Sequence, residues 1–147
     1  MLTRPLPIDL NDRQARMKLP SRGLPERPAE QRSKDIDEVY LPVDEQWATY
    51  EAARCIQCEP PAPCQLACPA HNDIPRAMDL IARGNLLAAA GVYRHTSSLP
   101  EICGRVCPQE QLCNQACVRC RTGDPVLTGA LEFFVADYER RTQGVKI

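Results

Sequence analysis

Apolar residues recur at helical spacing along much of this chain, and no stretch alternates as a strand would. In "VDEQWATYEAAR", Val43, Trp47, Tyr50 and Arg54 share one stripe, with Asp44 placed as an N-cap, so the helix delivers Cys55 at its end. "DIPRAMDLIARG" has Asp73 as cap, Ile74, Met78 and Ile81 on a face, and Gly84 as stop. "NLLAAAGVYRH" follows, with Asn85 as cap and Leu86, Ala90 and Tyr93 on a face, so the two form a predicted helical hairpin. "SLPEICGRVC" predicts a turn or short helix, and "PQEQLCNQAC" a proline-led helix. "TGALEFFVADYERR" sets Leu131, Phe134, Val135 and Tyr138 at i, i+3, i+4, i+7, the clearest amphipathic helix in the chain. The expected fold is all-α, built from short helices.

Residues 1–35 break the pattern. They hold Pro5, Pro7, Pro20, Pro25 and Pro28, with eight Lys/Arg and five acidic residues, and lack sustained apolar periodicity. This block is expected to be an extended arm, either solvated or docked on a partner. The organisation predicted is an arm over 1–35, a helical domain over 36–141 and a short tail over 142–147.

Composition narrows the chemistry. The 147 residues suit one domain, and 44% hydrophobic with only 5% aromatic makes a modest core, of the kind often supported by disulfides or metals. A net charge of −1 points to no nucleic-acid partner, and no apolar run reaches membrane-spanning length. The N-terminal stretch has no h-region, so a cytoplasmic, reducing compartment is expected. In such a compartment nine cysteines argue for metal or catalysis over disulfides.

The cysteines fall into two groups. Cys55, Cys58, Cys64 and Cys68 read C-x2-C-x5-C-x3-C-P; Cys103, Cys107, Cys113 and Cys117 read C-x3-C-P-x4-C-x3-C; Cys120 stands alone. One tight turn of chain can supply three ligands to a cubane iron–sulfur cluster, but the fourth usually comes from elsewhere. In bacterial ferredoxins the fourth cysteine of C-x2-C-x2-C-x3-C-P ligates a second cluster. The first group has that form with a looser third interval. Four-thiolate zinc is the main competitor, but it often uses two C-x2-C pairs, and only one is plain here. Spacing favours iron–sulfur and leaves zinc open.

With those residues in view, the chain resembles a known family. "ERPAEQRSKDIDEVYLPVDEQWATYEAARCIQC", "CQLACPAHNDIP", "GRVCPQEQLCNQACV" and "ALEFFVADY" are similar, in order and over about residues 25–140, to the N-terminal iron–sulfur domain of glutamate synthase small subunits. The same domain opens dihydropyrimidine dehydrogenase. The resemblance implies two [4Fe–4S] clusters. It assigns Cys55, Cys58, Cys64 and Cys117 to one, and Cys68, Cys107, Cys113 and Glu132 to the other. Cys103 is then a packing residue, with fourth ligand in place of Glu132 as its rival role, and Cys120 is structural. His71 and His95 are expected to be hydrogen-bonded rather than metal-bound.

In glutamate synthase small subunits, domains for FAD and NADPH follow. Here none of the seven glycines forms G-x-G-x-x-G, so neither nucleotide is expected to bind this chain in the family manner. No catalytic residues are expected. The resemblance implies an electron-transfer subunit joining a flavoprotein to another redox subunit of a multi-subunit oxidoreductase, with the arm and the tail "RRTQGVKI" as candidate docking elements. The alternatives are a metal-stabilised structural or assembly module, and the separated N-terminal piece of a glutamate synthase-type enzyme.

Overall fold

A computed structural model of the chain describes residue 6 and residues 8–144. Among these residues there are nine α-helices and no strand beyond an isolated antiparallel bridge between Glu26 and Tyr40. The all-α expectation holds. Pro5, Pro7 and the last three residues of the tail lie outside the described residues.

Four helices form the core: α3 (Glu45–Ala53), α5 (Ile74–Ala82), α6 (Leu86–Thr96) and α9 (Thr128–Gln143). Their starts follow local capping chemistry. The Asp44 side chain accepts from Trp47 N at 2.7 Å, and Asp73 accepts from Arg76 N at 3.3 Å, each satisfying an orphan donor of a first turn. Asn85 occupies the N-cap of α6 but makes no side-chain cap bond. Gly84, at φ +77°, ends α5 in the left-handed region, where a Cβ would be penalised, and so closes the α5–α6 hairpin. Met78, Ile81, Tyr93, Leu131 and Val135 are fully buried between these helices, and eight alanines in them have little or no exposure. Small side chains let short helices approach closely, which is how a chain poor in aromatics builds a dense core.

Three further helices carry or position cysteines: α4 (Pro63–Ala67), α7 (Pro100–Val106) and α8 (Cys113–Ala116). The segment predicted as one helix over 108–117 is two pieces. A 3-10 turn spans Gln109–Gln111, Leu112 breaks the chain at φ −121°, ψ −114°, and α8 follows. The break lets each piece meet a different neighbour: α8 packs on α4, while the Gln109 side chain covers a notch between α7 and α9.

That notch is built by glycine. A Cβ on Gly104 of α7 would lie 2.6 Å from both Gly129 O and Phe133 N of α9, so only glycine permits this crossing. Gln109 Nε2 donates to Gly104 O at 3.0 Å, and the Arg105 guanidinium lies 3.4 Å from the Phe133 ring centroid. Gly104→Ala should push α7 off α9, cost about 1–3 kcal/mol, and displace Cys107 from Glu132. Urea unfolding against the parent chain measures the first effect.

Residues 8–35, expected as an extended arm, hold two short helices, α1 (Arg13–Lys18) and α2 (Ala29–Arg32), and part of the arm is anchored in the core. Arg16 is 1% exposed and Leu19 8%. Arg16 Nε donates to Leu10 O at 2.6 Å, Nη1 to Cys55 O at 2.8 Å, and Nη2 pairs with Asp79 at 3.1 Å. Tyr50 Oη donates to Pro20 O at 3.1 Å and Trp47 Nε1 to Gly23 O at 3.0 Å. Backbone carbonyls and a carboxylate of the domain neutralise a guanidinium that periodicity alone would leave in water.

Candidate iron–sulfur site

The thiols gather where α3 ends, α5 begins, α6 ends and α9 begins. Cys55 follows α3, and Gln57 at φ +52° turns the chain so that Cys58 comes back beside it. Cys64 and Cys68 lie four residues apart on α4 and its C-cap; Cys113 and Cys117 do the same on α8. Four residues of helix rise about 6 Å, so each short helix offers one thiol at either end. Since α4 and α8 pack together, two sites can be served crosswise. A turn follows Cys68, closed by His71 N donating to Cys68 O at 2.9 Å, as Pro69 requires.

The first set converges. One apolar cleft is lined by Cys55, Cys58, Cys64 and Cys117, with Ile74, Pro75 and Val126 among its walls. Burial pushes the Cys55 thiol up to about 11, and the neighbouring Cys117 and Cys58 add to it. Burial likewise raises Cys64 to about 12, with Cys55, Cys117, Cys58 and, least, Cys113 contributing. Cys55 and Cys64 therefore stay neutral without a metal, so loading must release their protons.

The second set assembles from four elements. Cys107, the C-cap of α7, is raised by burial and by Cys103, Glu132 and Cys68. Cys113 is raised by burial and by Cys68, and its Sγ lies 3.0 Å from Thr128 Oγ1. Glu132, on the second turn of α9, is pushed up to about 7 by burial, against a weak bond donated by Asn72 Nδ2 at 3.4 Å. Thr96 donates to Asn72 Oδ1, which fixes the amide with its nitrogen toward Glu132. Asn72, 3% exposed, was not singled out by sequence reasoning, although it lies inside "CPAHNDIP".

The leftover cysteines separate. Cys103 is half-buried, beside Cys107 and 3.8 Å from Ser97 Oγ. Cys120 is exposed and its thiol donates to Asn114 O at 3.0 Å. His71 and His95 are both exposed.

Behind the first set lie three buried arginines. Arg16 and Arg119 neighbour Cys55, and Arg119 also neighbours Cys117. Arg119 donates to Arg16 O at 3.0 Å and Leu19 O at 2.8 Å. Arg54 pairs with the fully buried Glu51 and donates to Asp124 O at 2.8 Å and Pro125 O at 2.9 Å. Arg16 and Arg54 are paired with Asp79 and Glu51, so the fixed positive charge that would offset loaded thiolates is that of Arg119, beside Cys117 and Cys55.

The residues fit an iron–sulfur group through their donors. Among the described residues, the buried side-chain polar atoms without a partner are Glu51 Oε2, Gln57 Nε2, Tyr93 Oη and Arg119 Nε. The last three are donors beside the cysteines, and a sulfur-rich group would supply acceptors.

Glu132 gives a pH signature to the metal-free chain. Its folded value near 7 lies above the ordinary carboxyl value of 4.5, so the folded state holds a proton that the unfolded state has lost. Stability should therefore fall as pH rises from 4.5 to 7, and the loss should be complete above 7. Glu132→Gln should flatten this part of the profile, as read from urea midpoints at pH 5 and pH 8.

A glutamate synthase [NADPH] small chain from Halomonas elongata is 41% identical over 111 residues, covering 76% of this chain and 23% of that protein. The corresponding small chain of Azospirillum brasilense is 40% identical over 112 residues, covering 76% of this chain and 23% of that protein. The NAD-dependent dihydropyrimidine dehydrogenase subunit PreT of Escherichia coli is 40% identical over 95 residues, covering 65% and 23%. The chain thus spans less than a quarter of the length of these curated relatives. Residues 32–144 match the family described as dihydropyrimidine dehydrogenase domain II, 4Fe-4S cluster, and the chain belongs to that iron–sulfur family.

Proposed function

We propose that this chain is the electron-transfer unit of a multi-subunit oxidoreductase and holds two [4Fe–4S] clusters. Cys55, Cys58, Cys64 and Cys117 hold the first; Cys68, Cys107, Cys113 and Glu132 hold the second. The observation that carries the reading is the crossed grouping. Cys117 lines one cleft with three cysteines from the far end of the domain, while Cys68 neighbours Cys107 and Cys113 instead. When bound, such clusters take up and pass on one electron at a time. The chain's own residues bring thiolate and carboxylate ligands, an apolar wall that limits water, and the arginines behind the first set. A flavoprotein that oxidises NAD(P)H is the proposed partner on one side and a second redox subunit on the other.

The relatives' length favours a second reading, in which this domain is one part of a glutamate synthase-type enzyme whose flavin domains lie elsewhere. Purifying the chain anaerobically with whatever accompanies it, then adding NADPH, tests both. Bleaching of the cluster absorption only when a flavoprotein is present supports the relay. A loaded chain that neither dithionite nor NADPH with a flavoprotein can reduce overturns it.

A further inference from the structure

Tyr93 has a polar atom that the protein alone leaves unused. The residue is 1% exposed, at the heart of the core, and its hydroxyl has no hydrogen-bond partner among the described residues. An unpaired buried hydroxyl is costly and uncommon. The same core has Cys55, Cys64, Cys68, Cys113 and Cys117 packed against it, five thiols drawn from both proposed ligand sets. Nearby hydroxyls are already engaged: Thr96 donates to Asn72, and Thr128 lies between Asn114 and Cys113.

We propose that Tyr93 donates a hydrogen bond to sulfur where the two ligand sets meet, and so raises the reduction potential of the cluster that accepts it. The inference rests on the two-cluster reading. A phenol carries its proton at neutral pH, and Glu132, Cys113, Cys64 and Cys55 lie nearby, so the hydroxyl is a donor among the proposed ligands. Reduction adds negative charge to the cluster sulfurs. A fixed donor therefore stabilises the reduced form more than the oxidised one. Tyr93 is a tuning residue and not a ligand.

Tyr93→Phe removes one oxygen and leaves the ring in place. In the metal-free chain it should cost no stability, because the hydroxyl has no partner there. In the loaded chain, iron and sulfide should match the parent, while the reduced-to-oxidised ratio of one cluster at fixed potential falls several-fold; a tenfold fall is about 59 mV for one electron. Pulsed electron–nuclear spectroscopy of the reduced parent in D2O should show an exchangeable proton near that cluster which the variant lacks. Full loading with both potentials and the proton signal unchanged would overturn the proposal, as would a variant that fails to load. A parent chain without two [4Fe–4S] clusters would instead end the reading on which it rests.

Discussion

Cys117→Ala should strip one complete cluster, lowering iron and sulfide from about eight each per chain to about four. What remains should be the centre that depends on Glu132. The expectation follows from two short helices, each carrying cysteines four residues apart, packed so that Cys64 neighbours Cys117 more strongly than Cys113, while Cys68 neighbours Cys113. If consecutive cysteines shared a site, Cys58→Ala and Cys68→Ala would remove the same cluster. The crossed arrangement pairs the variants differently. Cys58→Ala and Cys117→Ala should leave one electron paramagnetic resonance spectrum, and Cys68→Ala and Glu132→Ala should leave the other. Identical residual spectra from Cys58→Ala and Cys68→Ala would contradict it.

Arg54→Ala should be the most damaging substitution away from the ligands. Arg54 and Glu51 are 1% and 0% exposed as side chains, and each is the other's buried counter-charge. Arg54 also holds the loop before α9 through Asp124 O and Pro125 O, and Glu51 Oε1 accepts from Leu127 N at 3.1 Å. Removing the guanidinium leaves a buried carboxylate and two carbonyls without their donors. Breaking such a pair costs about 3–5 kcal/mol, against a total stability of about 5–15 kcal/mol for a domain. A fall in melting temperature on the order of 10 °C is expected for a chain of this size. Because the tied loop leads to Thr128 and Glu132, the second cluster should also be lost faster on dilution into chelator. Replacing both partners with Leu and Met should cost much less than Arg54→Ala alone, since no buried charge is then left unpaired.

The sequence showed the helices whose signals are local. Asp44 and Asp73 cap where their spacing places them, and Ile74, Met78, Ile81, Leu131, Phe134 and Val135 are buried as their periodicity predicts. Tyr138 is only partly buried, packed 6.4 Å from Phe134 between ring centroids. Long-range effects were not legible. Nothing local separates residues 109–111 from α8; the break at Leu112 answers to the Gly104–Gly129 notch on one side and to α4 on the other. Arg16 looks like a solvated arm residue until Cys55 O and Asp79 come within reach. The ligand division followed from resemblance, since the spacing of the cysteines does not say where Cys117 goes. The unpaired hydroxyl of Tyr93 has no sequence signal at all: the residue fits a helix face as any core tyrosine would.

What the cysteines hold decides what this chain can do. The most direct measurement is the content of iron, acid-labile sulfide and zinc in the anaerobically purified chain. About eight iron and eight sulfide per chain, with no zinc, is the predicted result. Stoichiometric zinc without sulfide would contradict it.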